Sequence, residues 1–171
     1  NTSGTANTAI GRNSLQFVTT GANNTAVGRG SLDNTTGSND TAIGKDALQQ
    51  NTTGTENVAV GSLALDANTT ASYNTALGHA ALGANTTAIC GTALGWGALT
   101  ANTTGAQNTS VGSNSLQTNS TGSYNVAVGR QALQANTTAS NNTGLGYQAL
   151  YANTTGDLNT AVGAYAMQNS V

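Results

Sequence analysis

Apolar residues recur along this chain in a fixed phrase, N-T-A-V-G-x-x-A-L-x-x-N-T-T-G-x-x, with polar turn residues between them. The residue before each motif glycine is aliphatic: Ile10, Val27, Ile43, Val60, Leu77, Leu94, Val111, Val128, Leu145 and Val162. Two before the glycine stands Ala, with Ser110 and Gly144 as small stand-ins; four after it stands Leu, from Leu15 to Leu150, with Met167 in the last copy. These three positions are read as the ladders of the packed interior. Apolar runs this short, bounded by glycine and by Asn-Thr-Thr-Gly, predict β-strands of about four to five residues joined by tight turns rather than helices. The chain has no proline, which fits a ladder in which each proline would remove a hydrogen bond.

The motif glycines stand at Gly11, Gly28, Gly44, Gly61, Gly78, Gly95, Gly112, Gly129, Gly146 and Gly163, at steps of 17 residues except for 16 between Gly28 and Gly44, where one residue is missing from the loop after Leu32. A unit this small buries no core alone, so each copy must be one coil stacked on its neighbours. The expectation is an all-β chain: a parallel β-solenoid (β-roll or β-helix) of about ten 17-residue coils over residues 1–171, with no internal domain boundary. The sequence starts and stops part-way through a repeat without a distinct capping coil, which reads as a segment of a longer shaft or a subunit that stacks end to end.

Alternation in the strand sends Ala to one face and Val or Ile, with Thr or Val two earlier, to the other. Both faces are then apolar or small. One is expected to line the coil and the other to meet a second chain, most simply in a homotrimeric rod with the Val face at its axis. A charge at Val128 is expected to break the rod locally, as an unpaired buried charge. Asparagine forms two further columns. One opens the strand (Asn7, Asn24, Asn57, Asn74, Asn108, Asn125, Asn142, Asn159) and one opens the turn (Asn51, Asn68, Asn85, Asn102, Asn119, Asn136, Asn153). Stacked about 4.8 Å apart, such amides would hydrogen-bond along the rod.

Charged residues are 6% of the chain, aromatics 4%, and the formal net charge is −2, a balance that offers nucleic acid or an anionic membrane surface little to hold. No apolar run approaches the roughly 20 residues of a membrane helix. The single cysteine, Cys90, forms no internal disulfide.

The phrase N-T-A-V-G-x-x-A-L resembles the repeat of the head domains of trimeric autotransporter adhesins. With its N-T-T-G turn, as in Asn102 to Gly105 followed by Asn108 to Gly112, it also resembles repeat shafts of bacterial and phage tail-fibre-like proteins. The resemblance spans residues 7 to 171. It implies a trimeric fibre, extracellular, on a cell surface or on a virion, that projects or attaches. Adhesin heads of this kind commonly bind matrix proteins or carbohydrate. The 17-residue period and the added turn depart from the adhesin pattern.

Catalysis needs convergent groups. His79 and Cys90 have no evident partner, and the acids Asp33, Asp40, Asp46, Glu56, Asp66 and Asp157 are scattered over five slots, so neither an active site, a metal site nor a cofactor is expected, and the chain is not read as an enzyme. One slot stands out. The position after the motif glycine holds Arg12, Arg29, Lys45, His79, Trp96, Arg130 and Tyr147, a ridge suited to stacking on sugars or meeting a partner; a solvated edge is the plainer reading. Asn34, Asn51, Asn68, Asn85, Asn102, Asn119, Asn136 and Asn153 each begin N-x-S/T, as do Asn1, Asn23, Asn39, Asn108 and Asn141, so a glycoprotein with a sugar coat is a second expectation. The function expected is a structural shaft or head of an extracellular or virion fibre, single or polymeric, serving reach and attachment. The alternatives are a carbohydrate-binding adhesin module using the ridge, or an ice-binding solenoid using an Asn-x-Thr array in N-T-T. Partners are then further copies of the chain and cell-surface glycans or matrix.

Overall fold

The structure is a computed structural model that describes residues 2–169. Every strand is built on the phrase before the motif glycine: β1 (Thr8–Ile10), β2 (Thr25–Val27), β3 (Thr41–Ile43), β4 (Val58–Val60), β5 (Thr75–Leu77), β6 (Thr92–Leu94), β7 (Thr109–Val111), β8 (Val126–Val128), β9 (Thr143–Leu145) and β10 (Thr160–Val162). They form one parallel sheet in chain order, and the chain is a parallel β-solenoid. The strands span three residues rather than four or five. Each is closed by the motif glycine, whose φ of +122° to +139° no strand residue adopts. Register is in phase throughout. Even across the short coil Ala26 pairs with Ala42 and Val27 with Ile43.

Outside the strands the backbone still bonds from coil to coil. Gly78 N–H donates to Val60 C=O at 2.8 Å, Ala80 to Ser62 at 3.0 Å and Leu82 to Ala98 at 3.0 Å. These bonds hold a conformation that the side chains alone would not choose. Each coil carries non-glycine residues in the left-handed region, for example Tyr73 (φ 65°), Ala80 (φ 53°) and Leu82 (φ 51°), a geometry that disfavours an L-residue by about 1 kcal/mol or more. The turn aims Leu82 inward, and the same happens at each leucine of its column.

The core consists of the strand alanines (Ala26, Ala42, Ala59, Ala76, Ala93, Ala127), the alanines three after the glycine (Ala47, Ala64, Ala81, Ala98) and the leucines from Leu32 to Leu150, all essentially inaccessible. The interior assignment of the residue before the glycine is therefore corrected. Ile10, Ile43, Leu77, Leu145 and Val162 are exposed, and Val27, Val60, Leu94, Val111 and Val128 are half-buried on the outer face. The narrow coil has room for Ala opposite Leu, and strand alternation then sends Val or Ile outward. Where serine replaces both interior alanines, the hydroxyls of Ser110 and Ser115 hydrogen-bond to each other, one donating to its partner and the other to a carbonyl, Ser115 C=O for Ser110 or Gly112 C=O for Ser115.

Candidate functional site

Both asparagine columns are interior. In the turn column Asn68 Nδ2 donates to Asn51 Oδ1 at 3.0 Å and to its own turn's Ala71 carbonyl at 3.0 Å. The same pair of bonds recurs at Asn85, Asn102, Asn119, Asn136 and Asn153. In the strand column Asn57 Oδ1 accepts from Asn74 N–H at 3.1 Å while Asn74 Nδ2 donates to Ala88 C=O at 2.9 Å. These amides seal the coil ends by stacking and satisfy one another along the rod, although Asn142 Nδ2 in the strand column is buried without a partner. Asn51, Asn68, Asn85, Asn102, Asn119, Asn136 and Asn153 are at most 1% exposed. A glycan there would take a proton already in use and displace the neighbouring coil, so the folded rod does not accommodate sugar at these seven positions. Asn34 differs and is exposed.

The reason lies in the missing residue. Thr35, fully buried, occupies the slot of the turn asparagine, accepting from Gly37 N–H at 2.9 Å and Asn51 Nδ2 at 3.4 Å. Thr36 then bonds to Thr52 C=O and Gly37 lies over Gly54. The deletion thus falls between Thr36 and Gly37 in space, and it turns Asn34 outward. Asn23, Asn39 and Asn141 are exposed too, while Asn108 is buried and Asn1 lies outside the described residues. The Asn-x-Thr surface array is likewise corrected. In N-T-T the asparagine is inside, so the second threonine, as at Thr53, Thr70, Thr87, Thr104 and Thr138, stands exposed without it.

The ridge after the motif glycine is on the surface, with Arg12, Arg29, Lys45, His79, Trp96 and Arg130 exposed and Tyr147 half-buried. Ser62 and Ser113 divide it into three groups. The middle one is a stack of His79 on Trp96, with centroids 6.4 Å apart and planes 15° from parallel. The last joins Arg130 over the Tyr147 ring at 5.8 Å and Tyr147 edge-to-face with Tyr165 at 5.1 Å. The pattern of the slot omits Tyr165, which stands one residue further from its glycine. The first group is ionic, with Arg29 at 3.5 Å and Lys45 at 3.3 Å from Asp46 Oδ2.

No protein-family model, curated protein or solved structure matches this chain. Its chemistry must be read from its own surfaces. Cys90 is free and exposed. Among the described residues no three His, Cys, Asp or Glu side chains gather as metal ligands, and no helix is long and apolar enough to cross a membrane.

The remaining long surface is the outer strand face. Its two columns are Thr or Val three before the glycine and Ile, Val or Leu one before it, running unbroken from Thr8 and Ile10 to Thr160 and Val162. Ile10 is 60% exposed, Leu145 45% and Val162 66%. At about 4.8 Å per strand, this strip extends the length of the rod without a charged residue.

Proposed function

We propose that the chain is a passive shaft or head of an extracellular, cell-surface or virion fibre, in which three copies pack their outer strand faces around a common axis. The supporting observation is the uninterrupted Thr/aliphatic strip. Exposed apolar surface of a few hundred Å² in one continuous strip is at the limit of what monomers leave to water, and a parallel sheet is normally covered on both faces. The sequence resemblance to adhesin heads and tail-fibre-like shafts agrees with this arrangement. Rigidity comes from coil-on-coil bonding, so the work assigned to the rod is reach and attachment.

Mass per unit length by electron microscopy tests this. With 16.8 kDa over about 48 Å, one chain gives about 0.35 kDa per Å and three give about 1.05. The value for three is expected, and a one-chain value would sink the fibre assembly. Val128→Asp, on the outer face, is expected to leave the far-UV circular dichroism of the rod intact while reducing its mass per length to that of a single chain.

The exposed His79–Trp96 stack and the Arg130–Tyr147–Tyr165 group favour a second reading, contact with carbohydrate along the ridge, because flat rings bind sugar faces without needing a pocket. Replacing Trp96 and Tyr147 together by Ala is expected to preserve the melting curve and reduce retention on immobilised glycans at least fivefold. Retention equal to the wild type would remove the ridge from consideration.

A further inference from the structure

Half of the chain's charge sits in one place. Of four basic and six acidic residues, Arg12, Arg29, Lys45, Asp33 and Asp46 gather around the one short coil. A cleft of about 230 Å³ there is lined by Arg12, Asn13, Arg29, Gly30, Asp33, Asp46 and Gln49. Asp33 keeps its regular place one after Leu32, whose N–H donates to Ala47 C=O at 3.1 Å as in the regular coils. At the second position after the glycine, where most coils carry a side chain such as Asn13, Ala80, Gln131 or Gln148, this coil has Gly30, with φ +68°, as one other coil has Gly97. A Cβ on Gly30 would lie 2.5 Å from Asp46 Oδ1, so the missing side chain is what lets Asp46 fold down as the floor, 7% exposed.

The electrostatics of the cleft are incomplete. Asp46 is neutralised by Arg29 and Lys45. Arg12 has no ion pair among the described residues, and Asp33 Oδ1 is buried without a hydrogen-bond partner. Burial and then the charge of Asp46 push the Asp33 carboxyl above its usual value. An unpaired buried acceptor is an unfavourable state that a donor would relieve. Three cations against two carboxylates leave one positive charge. The remaining lining is amide and backbone, and the volume is below the ~300–1,000 Å³ of sites that enclose drug-sized ligands.

We propose that this cleft binds a single hydroxyl-rich sugar unit carrying one carboxylate, a uronic acid for example, with the Arg12 guanidinium on the carboxylate and Asp33 accepting a hydroxyl. A planar guanidinium matches a carboxylate in bidentate fashion, and Asp33 selects a ligand with O–H donors over a bare anion. The site does not rest on the fibre reading, since three consecutive coils of one chain supply every lining residue.

The test is an NMR titration of the whole chain with glucuronate, glucose and acetate, following the backbone amides of Gly30 and Asp46. Saturable shifts with glucuronate, at least tenfold tighter than with either of the others, are expected. Acetate binding as well as glucuronate would reduce the cleft to a simple anion site and overturn the proposal, as would equal binding of glucose or no saturation at all. Two variants localise the effect. Arg12→Ala is expected to weaken glucuronate at least tenfold. Gly30→Gln places in the cleft a side chain that Gln131 and Gln148 already carry at the same slot with φ 60° and 53°; it is expected to displace the Asp46 carboxylate, lower the melting temperature by a few degrees while the rod stays folded, and abolish binding. Undiminished binding in Gly30→Gln overturns the assignment. Mass per length, unchanged by either variant, reports separately on the fibre.

Discussion

Gly112→Ala is expected to be among the most destabilising single changes in the rod, by about 4 kcal/mol or more, where most substitutions stay below about 3. Two effects combine. Gly112 has φ +134°, a backbone conformation L-residues rarely adopt. A Cβ would also lie 2.6 Å from both the C and O atoms of Gly129 and 3.0 Å from Arg130 N, all backbone of the next coil. Those atoms cannot retreat without lengthening the bond from Gly129 N–H to Val111 C=O, 2.7 Å. The terminal motif glycine separates the two contributions. Gly163 has a similar φ of +122° but nothing within 4 Å of its would-be Cβ, so Gly163→Ala should show the conformational term alone, about 1–3 kcal/mol. Thermal melts of the two variants measure the difference, and equal losses would mean that coil contact contributes nothing. Because each coil touches only its neighbours, amide exchange in Gly112→Ala should rise most in the adjoining coils.

The period, the parallel strands and the leucine column were all legible in the sequence, because a 17-residue repeat places like residues on like contacts. The sidedness of the strand was not. Ala and Val both qualify as apolar, and only the width of the coil, filled by Leu82 or Leu99 facing Ala76 or Ala93, decides which points in. The left-handed leucines were equally hidden, since leucine carries no preference for that geometry and acquires it from the coil-to-coil bonds around it. In the surface sites, the ridge was readable as one slot. The ionic cleft was not, because Asp33 and Asp46 occupy different slots and meet only where one coil stacks on the next. Two sequons that read alike, at Asn34 and Asn51, part because of the residue missing between Thr36 and Gly37: one is exposed and the other holds the interior ladder.

Asp40→Asn is expected to stabilise the rod at neutral and alkaline pH by on the order of 3 kcal/mol. Asp40 is fully buried in the strand-opening asparagine column. Its Oδ1 accepts from Asn57 N–H at 2.8 Å and Asn57 Nδ2 at 3.1 Å, and its Oδ2 accepts from Asn51 Nδ2 at 3.0 Å. Burial outweighs these three hydrogen bonds, and with Glu56 nearby the carboxyl rises from 3.8 to about 6, a difference worth about 3 kcal/mol between the two protonation states. The asparagines of this column have an N–H to give where an ionised Asp40 has none: Asn24 Nδ2 donates to Gly37 C=O at 2.9 Å and Asn57 Nδ2 to Ala71 C=O at 3.0 Å. The sign follows from the raised value. The folded chain holds the proton more tightly than the unfolded one, so the stability linked to Asp40 is fully present below about pH 4. It declines as pH rises and is lost above about 6. Wild type and Asp40→Asn should therefore melt close together at pH 4 and separate steadily to pH 8, the variant being the more stable. Asn57, whose amide donates to Asp40, should exchange its proton faster in the wild type across the same interval. Parallel melting curves from pH 4 to pH 8 would show that the rod tolerates the buried charge without penalty.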